Sequence, residues 1–179
     1  IVSTKPADDE AKQNFENMLE KALESKVILD AAIAQTEQQR QEFWALRENA
    51  TESQKLEGTS IKHDVSVPIS SIPKFYDSAW QAILNVEPEA RLVAFGHAGD
   101  GNLHFNVAEP ENSSSSDFLK KWTDINHAVH EVVKDFNGSI SAEHGIGQLK
   151  RDELPHYKSQ TAIDVMRIIK SALDPKGIM

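Results

Sequence analysis

Two short apolar runs, residues 91–96 and 102–107, stand on either side of the glycine-bearing turn AGDG, and this pattern constrains the chain more than any other. Glycine adopts the backbone angles of tight turns without strain, so two such runs around such a turn read as a β-hairpin. A hairpin commits the chain to an antiparallel sheet. A further strand is predicted at residues 60–68, SIKHDVSVP, where Ile61, His63, Val65 and Val67 alternate with Lys62, Asp64 and Ser66. A period of two describes a strand with two distinct faces.

Helical patterns surround these strands. Phe15, Met18, Leu19 and Leu23 recur at helical spacing within residues 6–26, and Phe43, Trp44 and Leu46 centre a second helix at 36–52. Residues 27–34 read as a connection and a strand. Ser70 or Ser71 caps a helix with Pro73 in its first turn that runs to about residue 85. A polar loop at 109–117 precedes a helix at 118–136, closed by Asn137 and Gly138. A last strand is expected at 139–142, then helical segments near 147–153 and 161–173, the latter stopped before Pro175. This order predicts an α+β fold: an antiparallel sheet with helices packed mainly on one face, in a single domain over residues 1–179.

Composition narrows the function classes. Hydrophobic residues at 39% and charged residues at 26% suit a globular chain of 179 residues with a sizeable core. No apolar run approaches the roughly 20 residues of a membrane helix, and the N-terminus lacks the pattern of a signal peptide. The start IVSTKPADDE, without an initiator Met, reads as an excised piece of something longer. A net charge of −9 sets the surface against nucleic acid and anionic membranes, so an anionic substrate would need a local basic site. The absence of cysteine excludes disulfides and thiolate metal sites and agrees with a reducing compartment.

Three constellations carry chemistry. In GHAGDGNLHFN, residues 96–106, the hairpin can bring His97 and His104 together, and Asn106 shares the face of His104. Two imidazoles beside an amide suit a divalent metal or a polar substrate; alternatively the glycines only make the turn and the histidines satisfy backbone groups. In SAEHGIGQLKR, residues 141–151, Glu143 and His144 lie side by side ahead of Gly145 and Gly147. A carboxylate with two imidazoles is a ligand set for Zn²⁺ or a similar ion, although Glu143 could equally cap a helix or face solvent. Arg47 and Thr51, four apart, share one helix face, and Lys62 on the next strand could join them around a carboxylate. Ordinary surface solvation would account for those three as well.

Together these pieces resemble the C-terminal domain of the FAD-linked oxidase family, which includes D-lactate dehydrogenases, the FAD subunit of glycolate oxidase and D-2-hydroxyglutarate dehydrogenase. The resemblance rests on the WALRE…T helix, SIKHDVSVP, GHAGDGNLHFN and SAEHGIGQLKR, in that order along the chain, over about residues 43–179. It implies a ferredoxin-like type of α+β domain that oxidises a D-2-hydroxyacid of the lactate, glycolate or 2-hydroxyglutarate class, with hydride transfer to FAD. In the D-2-hydroxyglutarate branch the resemblance assigns a zinc or other divalent metal to His97, His104 and Glu143. It assigns the substrate carboxylate to Arg47, Thr51 and Lys62, the hydroxyacid end to Asn106 and His144, and proton abstraction to His144. The family's flavin-binding domain has no counterpart here, so no FAD-binding residue is assigned and this piece is expected to form no complete flavin site and to be inactive alone. Implied partners are the anionic hydroxyacid and that flavin-binding domain, with no nucleic acid and no membrane span, and a homodimer is compatible. The implied location is cytoplasmic or peripheral to the inner membrane, the mitochondrial matrix in a eukaryote. A non-catalytic binding module of the same fold and a stand-alone metal hydrolase are the rival readings. Retention of all the substrate-side positions argues against the first, and the unexplained Arg47, Thr51 and Lys62 against the second.

Overall fold

The computed structural model describes residues 9–97 and 99–178, with the side chains of Asp9, Thr51 and Lys55 outside the described set. Its sheet is built on the hairpin. Strands β3 (Arg91–His97) and β4 (Asn102–Ala108) pair antiparallel from Arg91↔Ala108 to His97↔Asn102. At the turn Gly101 has φ +77°, and a Cβ there would stand 2.1 Å from the Val67 carbonyl oxygen, so only glycine fits. The Asp100 carboxylate accepts the Asn102 N–H at 2.9 Å and fixes the turn from within.

Along the other edge of β4 lie β1 (Ser60–Ile61) and β2 (Asp64–Ser66). They share one register, Ser60↔Ala108 and Ile61↔Val107 continuing as Asp64↔His104 through Ser66↔Asn102. The strand expected at 60–68 is therefore shorter and interrupted at Lys62 and His63, yet the Phe105 N–H still donates to the His63 carbonyl at 2.9 Å. The strand expected at 139–142 is a single bridge, Ser66↔Ser139.

Alternation sorts the side chains. Ile61, His63, Val65, Phe105 and Val107 turn to one face and are fully buried there. Two helices, α3 (Ile72–Val86) and α5 (Trp122–Asp135), cover that face with Phe75, Ala79 and Ile83 and with Ile125, Val129 and Val133. The rings of Phe75 and Phe105 meet edge-on with centroids 5.5 Å apart. Lys62, Asp64, Ser66, Phe95, His97, Asn102, His104 and Asn106 take the other face by the same registers.

The remaining helices are α1 (Asp9–Glu24), α2 (Glu37–Leu56), α4 (Ser115–Lys120), α6 (Leu154–Tyr157) and α7 (Gln160–Leu173). Residues 27–34 form no strand, because an apolar run is only a strand when another strand accepts its hydrogen bonds. The helix expected at 118–136 is two helices, broken where Lys121 takes φ −85° and ψ 4°. The segment at 147–153 is turns, with α6 beginning after it. Backbone contacts divide the chain into two compact units, residues 1–51 and 52–179. The first holds α1 and most of α2; the second holds the sheet and its helices.

Candidate functional site

The polar face of the sheet gathers the hairpin histidines. His104, in mid-β4, stands opposite Phe95 on one side and Asp64 on the other, with its ring 5.0 Å from that of Phe95. His97 ends β3, and the two imidazoles are edge-to-face with centroids 6.5 Å apart. Glu143 comes between them. One of its oxygens lies 3.4 Å from His97 Nδ1 and the other 3.7 Å from His104 Nε2. Ligand atoms about a tetrahedral ion with bonds near 2.0–2.1 Å are roughly 3.4 Å apart, close to each carboxylate–imidazole spacing, but one atom from each of the three residues does not fall within 4.8 Å of the other two, so the side chains must turn before one ion could be held. The set is open, because each imidazole faces a different oxygen. Asp100, absent from the sequence reading, also approaches His97 Nδ1 at 3.4 Å.

A second residue the sequence reading missed decides where Glu143 and His144 go. Asp64 is only 4% exposed, and its Oδ2 accepts the N–H groups of Ala142, Glu143 and His144 at 3.2, 2.9 and 2.8 Å. Three successive amides on one carboxylate oxygen form a cradle of charge-assisted hydrogen bonds. Burial pushes this carboxyl up, but the amides of His144 and Glu143 and the imidazoles of His144 and His104 outweigh it and hold it below its ordinary range. His144 Nδ1 lies 3.5 Å from the same oxygen, while its side chain remains 73% exposed. The Ser141 hydroxyl donates to the His144 carbonyl and closes the turn. The only sequence signal for this role was the alternation that set Asp64 on the polar face. Nothing local links it to amides 78–80 positions later.

Asn106 lies on the same face, buried, and donates from Nδ2 to the Oε1 of buried Gln54 at 2.7 Å. Gln54 is thus a third residue beyond the sequence reading, and it orients the amide of Asn106. Lys62 is exposed, and the shared register of β1 and β2 sets it across from Asn106. The sheet therefore brings Lys62, His97, His104 and Asn106 to one face, and Asp64 brings Glu143 and His144 to it. Arg47, half-buried on α2, and Thr51 belong to the first compact unit. The Thr51 side chain lies outside the described residues.

The family model described as FAD linked oxidases, C-terminal domain, matches residues 1–179. The chain belongs to that family. The match extends beyond the motifs at 43–179 to the whole chain. Among similar proteins, D-2-hydroxyglutarate dehydrogenase of Stutzerimonas stutzeri is 37% identical over 177 residues, covering 99% of this chain and 37% of that protein. The protein of the same name from Xanthomonas citri is 38% identical over 176 residues, covering 98% of this chain and 37% of its own length. The mitochondrial D-2-hydroxyglutarate dehydrogenase of Danio rerio is 36% identical over 169 residues, covering 94% and 30% respectively. The chain thus spans about a third of the length of these relatives.

Among the described residues of this FAD-linked oxidase domain, no glycine lies between a strand and the first turn of a helix, where a dinucleotide's pyrophosphate would be held. No helix among the described residues is long and apolar enough to cross a membrane.

Proposed function

We propose that this chain is the substrate-side domain of an FAD-dependent dehydrogenase that converts a D-2-hydroxyacid to the 2-oxoacid, and that the hydroxyacid is D-2-hydroxyglutarate. The observation that carries the reading is the Asp64 cradle, which sets Glu143 between His97 and His104 and leaves His144 beside them with its ring exposed. The choice of hydroxyacid rests on the names of the relatives.

In this reading Lys62 supplies positive charge to a substrate carboxylate, which offsets the repulsion of a chain carrying net −9, and the family resemblance assigns Arg47 and Thr51 to the same carboxylate. Asn106 and His144 hold the hydroxyacid end, and Gln54 keeps the Asn106 amide turned. His144 accepts the hydroxyl proton on its outer ring nitrogen while Asp64 faces Nδ1, which orients the imidazole and steadies the charge it gains. His97, His104 and Glu143 would hold a zinc-like divalent ion, whose contribution is to stabilise negative charge on the substrate oxygen. The flavin supplies the acceptor for the C2 hydride, so one hydride and one proton leave the substrate together.

The full-length FAD-loaded protein, assayed with an artificial electron acceptor against D-2-hydroxyglutarate, D-lactate and glycolate, tests the proposal. The highest kcat/KM is expected for D-2-hydroxyglutarate, and no turnover of any of the three overturns it. His144→Ala should lower kcat by about 10²–10⁴. Lys62→Met should instead raise KM about tenfold or more with kcat little changed, because carboxylate charge is the same in substrate and transition state. A His144→Ala enzyme with normal turnover and weak binding removes His144 as the base.

A further inference from the structure

A second cluster of metal-ligating side chains lies apart from the polar sheet face. His127 and Glu131 are four residues apart on α5 and so share one face of that helix. The short helix α6 sets His156 against them. His156 Nε2 lies 2.8 Å from Glu131 Oε1, and His127 Nε2 lies 3.9 Å from the same oxygen. The two imidazole planes are inclined by only 28°. One ligand atom from each residue falls within 4.8 Å of the other two, and among the described residues this is the group of three that does so. α5 covers the core face with Ile125, Val129 and Val133, so this cluster is on the other side of the sheet from His97 and His104.

We propose that His127, Glu131 and His156 form a second divalent-metal site, selective for Zn²⁺ and its late first-row neighbours, that pins α6 to α5. Two imidazoles and a carboxylate are borderline ligands; Mg²⁺ and Ca²⁺ prefer an all-oxygen shell, whereas Zn²⁺ and Cu²⁺ take this set readily. The 2.8 and 3.9 Å spacings bracket the roughly 3.4 Å expected between ligands of a tetrahedral ion, so small side-chain rotations complete the site. All three side chains reach solvent, which leaves outer positions to water and makes the ion exchangeable. Lys134 is a built-in competitor: its Nζ lies 3.2 Å from His156 Nε2, the atom the ion would need. Metal entry must displace that ammonium. The consequence reaches the proposed active site through the chain itself, because α6 ends the segment that begins at Glu143 and His144. An ion joining α6 to α5 anchors the far end of that segment while Asp64 anchors the near end. The ion takes no part in the chemistry, and the proposal stands independently of the hydroxyacid reading.

The test uses full-length protein, stripped with chelator, in which His97→Ala and His104→Ala silence the sheet-face set. Calorimetric titration with Zn²⁺ should show one equivalent bound per chain, with a rise in melting temperature. Adding His127→Ala and His156→Ala should abolish both signals, and Glu131→Gln should weaken binding at least about tenfold. Lys134→Gln should tighten binding several-fold, a gain that misfolding cannot produce. Zinc binding that survives the loss of both His127 and His156, or that is unchanged in Lys134→Gln, overturns the proposal.

Discussion

The two compact units of this chain are made from similar apolar residues and use them differently. In the second unit Phe75, Phe105, Ile125 and Val129 are sealed between the sheet and its two helices. In the first, no residue from 10 to 50 is buried, and Phe43, Trp44, Leu46 and Leu29 all face solvent to a large degree. Helical periodicity is present in both. What separates them is the sheet, whose strands hold apolar side chains on one face and let helices close over it. An amphipathic helix without such a surface keeps its hydrogen bonds but gains little from burial.

The largest effect expected from this difference is in backbone hydrogen exchange. Amides of β4 and α5 should open only with global unfolding and those of α1 by local fraying, a gap of about a thousandfold or more in rate. Equal protection in α1 and β4 would break the comparison. Core truncation sharpens it: Phe105→Ala, at a position with no exposed surface, should cost about 3–5 kcal/mol in urea denaturation.

Acid should also act on the second unit. Burial depresses His63 to about 3, and its Nδ1 is held by the Phe105 carbonyl at 2.8 Å. The unfolded chain binds this proton more readily, so the stability linked to a neutral His63 is complete above about pH 6.5 and lost as pH falls toward 3. The loss should be on the order of 5 kcal/mol over that window. His63→Gln, though less stable at neutral pH, should show a flatter acid limb; an identical slope in both proteins would remove His63 as its source. The smallest change is expected in the first unit. Leu46→Ala, at a position 77% exposed, should shift stability by no more than about 0.5 kcal/mol. A loss of several kcal/mol there would mean that the first unit has a core after all.

Much of the second unit was legible because its signals are local. The hairpin was announced by the glycine turn, and the edge strand by the alternation of Ile61, His63, Val65 and Val67, which the structure buries together. The break at Lys121 and the missing strand at 27–34 were not legible, since a period counts apolar residues without saying whether a partner accepts them. At the candidate site, the polar residues that gather on the sheet face could be named in advance. The residues that hold them, Asp64 and Gln54, could not, because aspartate and glutamine are ordinary on a strand or helix surface.

The sequence by itself determined the turn, the two-faced strand and the presence of His97, His104, Glu143 and His144, since each depends on neighbours within a few positions. Only the tertiary structure decided that the edge strand keeps one register along β4, and so that Asp64 lies opposite His104. That register let one buried carboxylate take three amides from the far end of the chain and set Glu143 between the two hairpin imidazoles. The physical reason is one of range. Turns and periodicity are written in adjacent backbone angles, whereas a hydrogen bond across 80 residues exists only once the core has brought both partners to the same place.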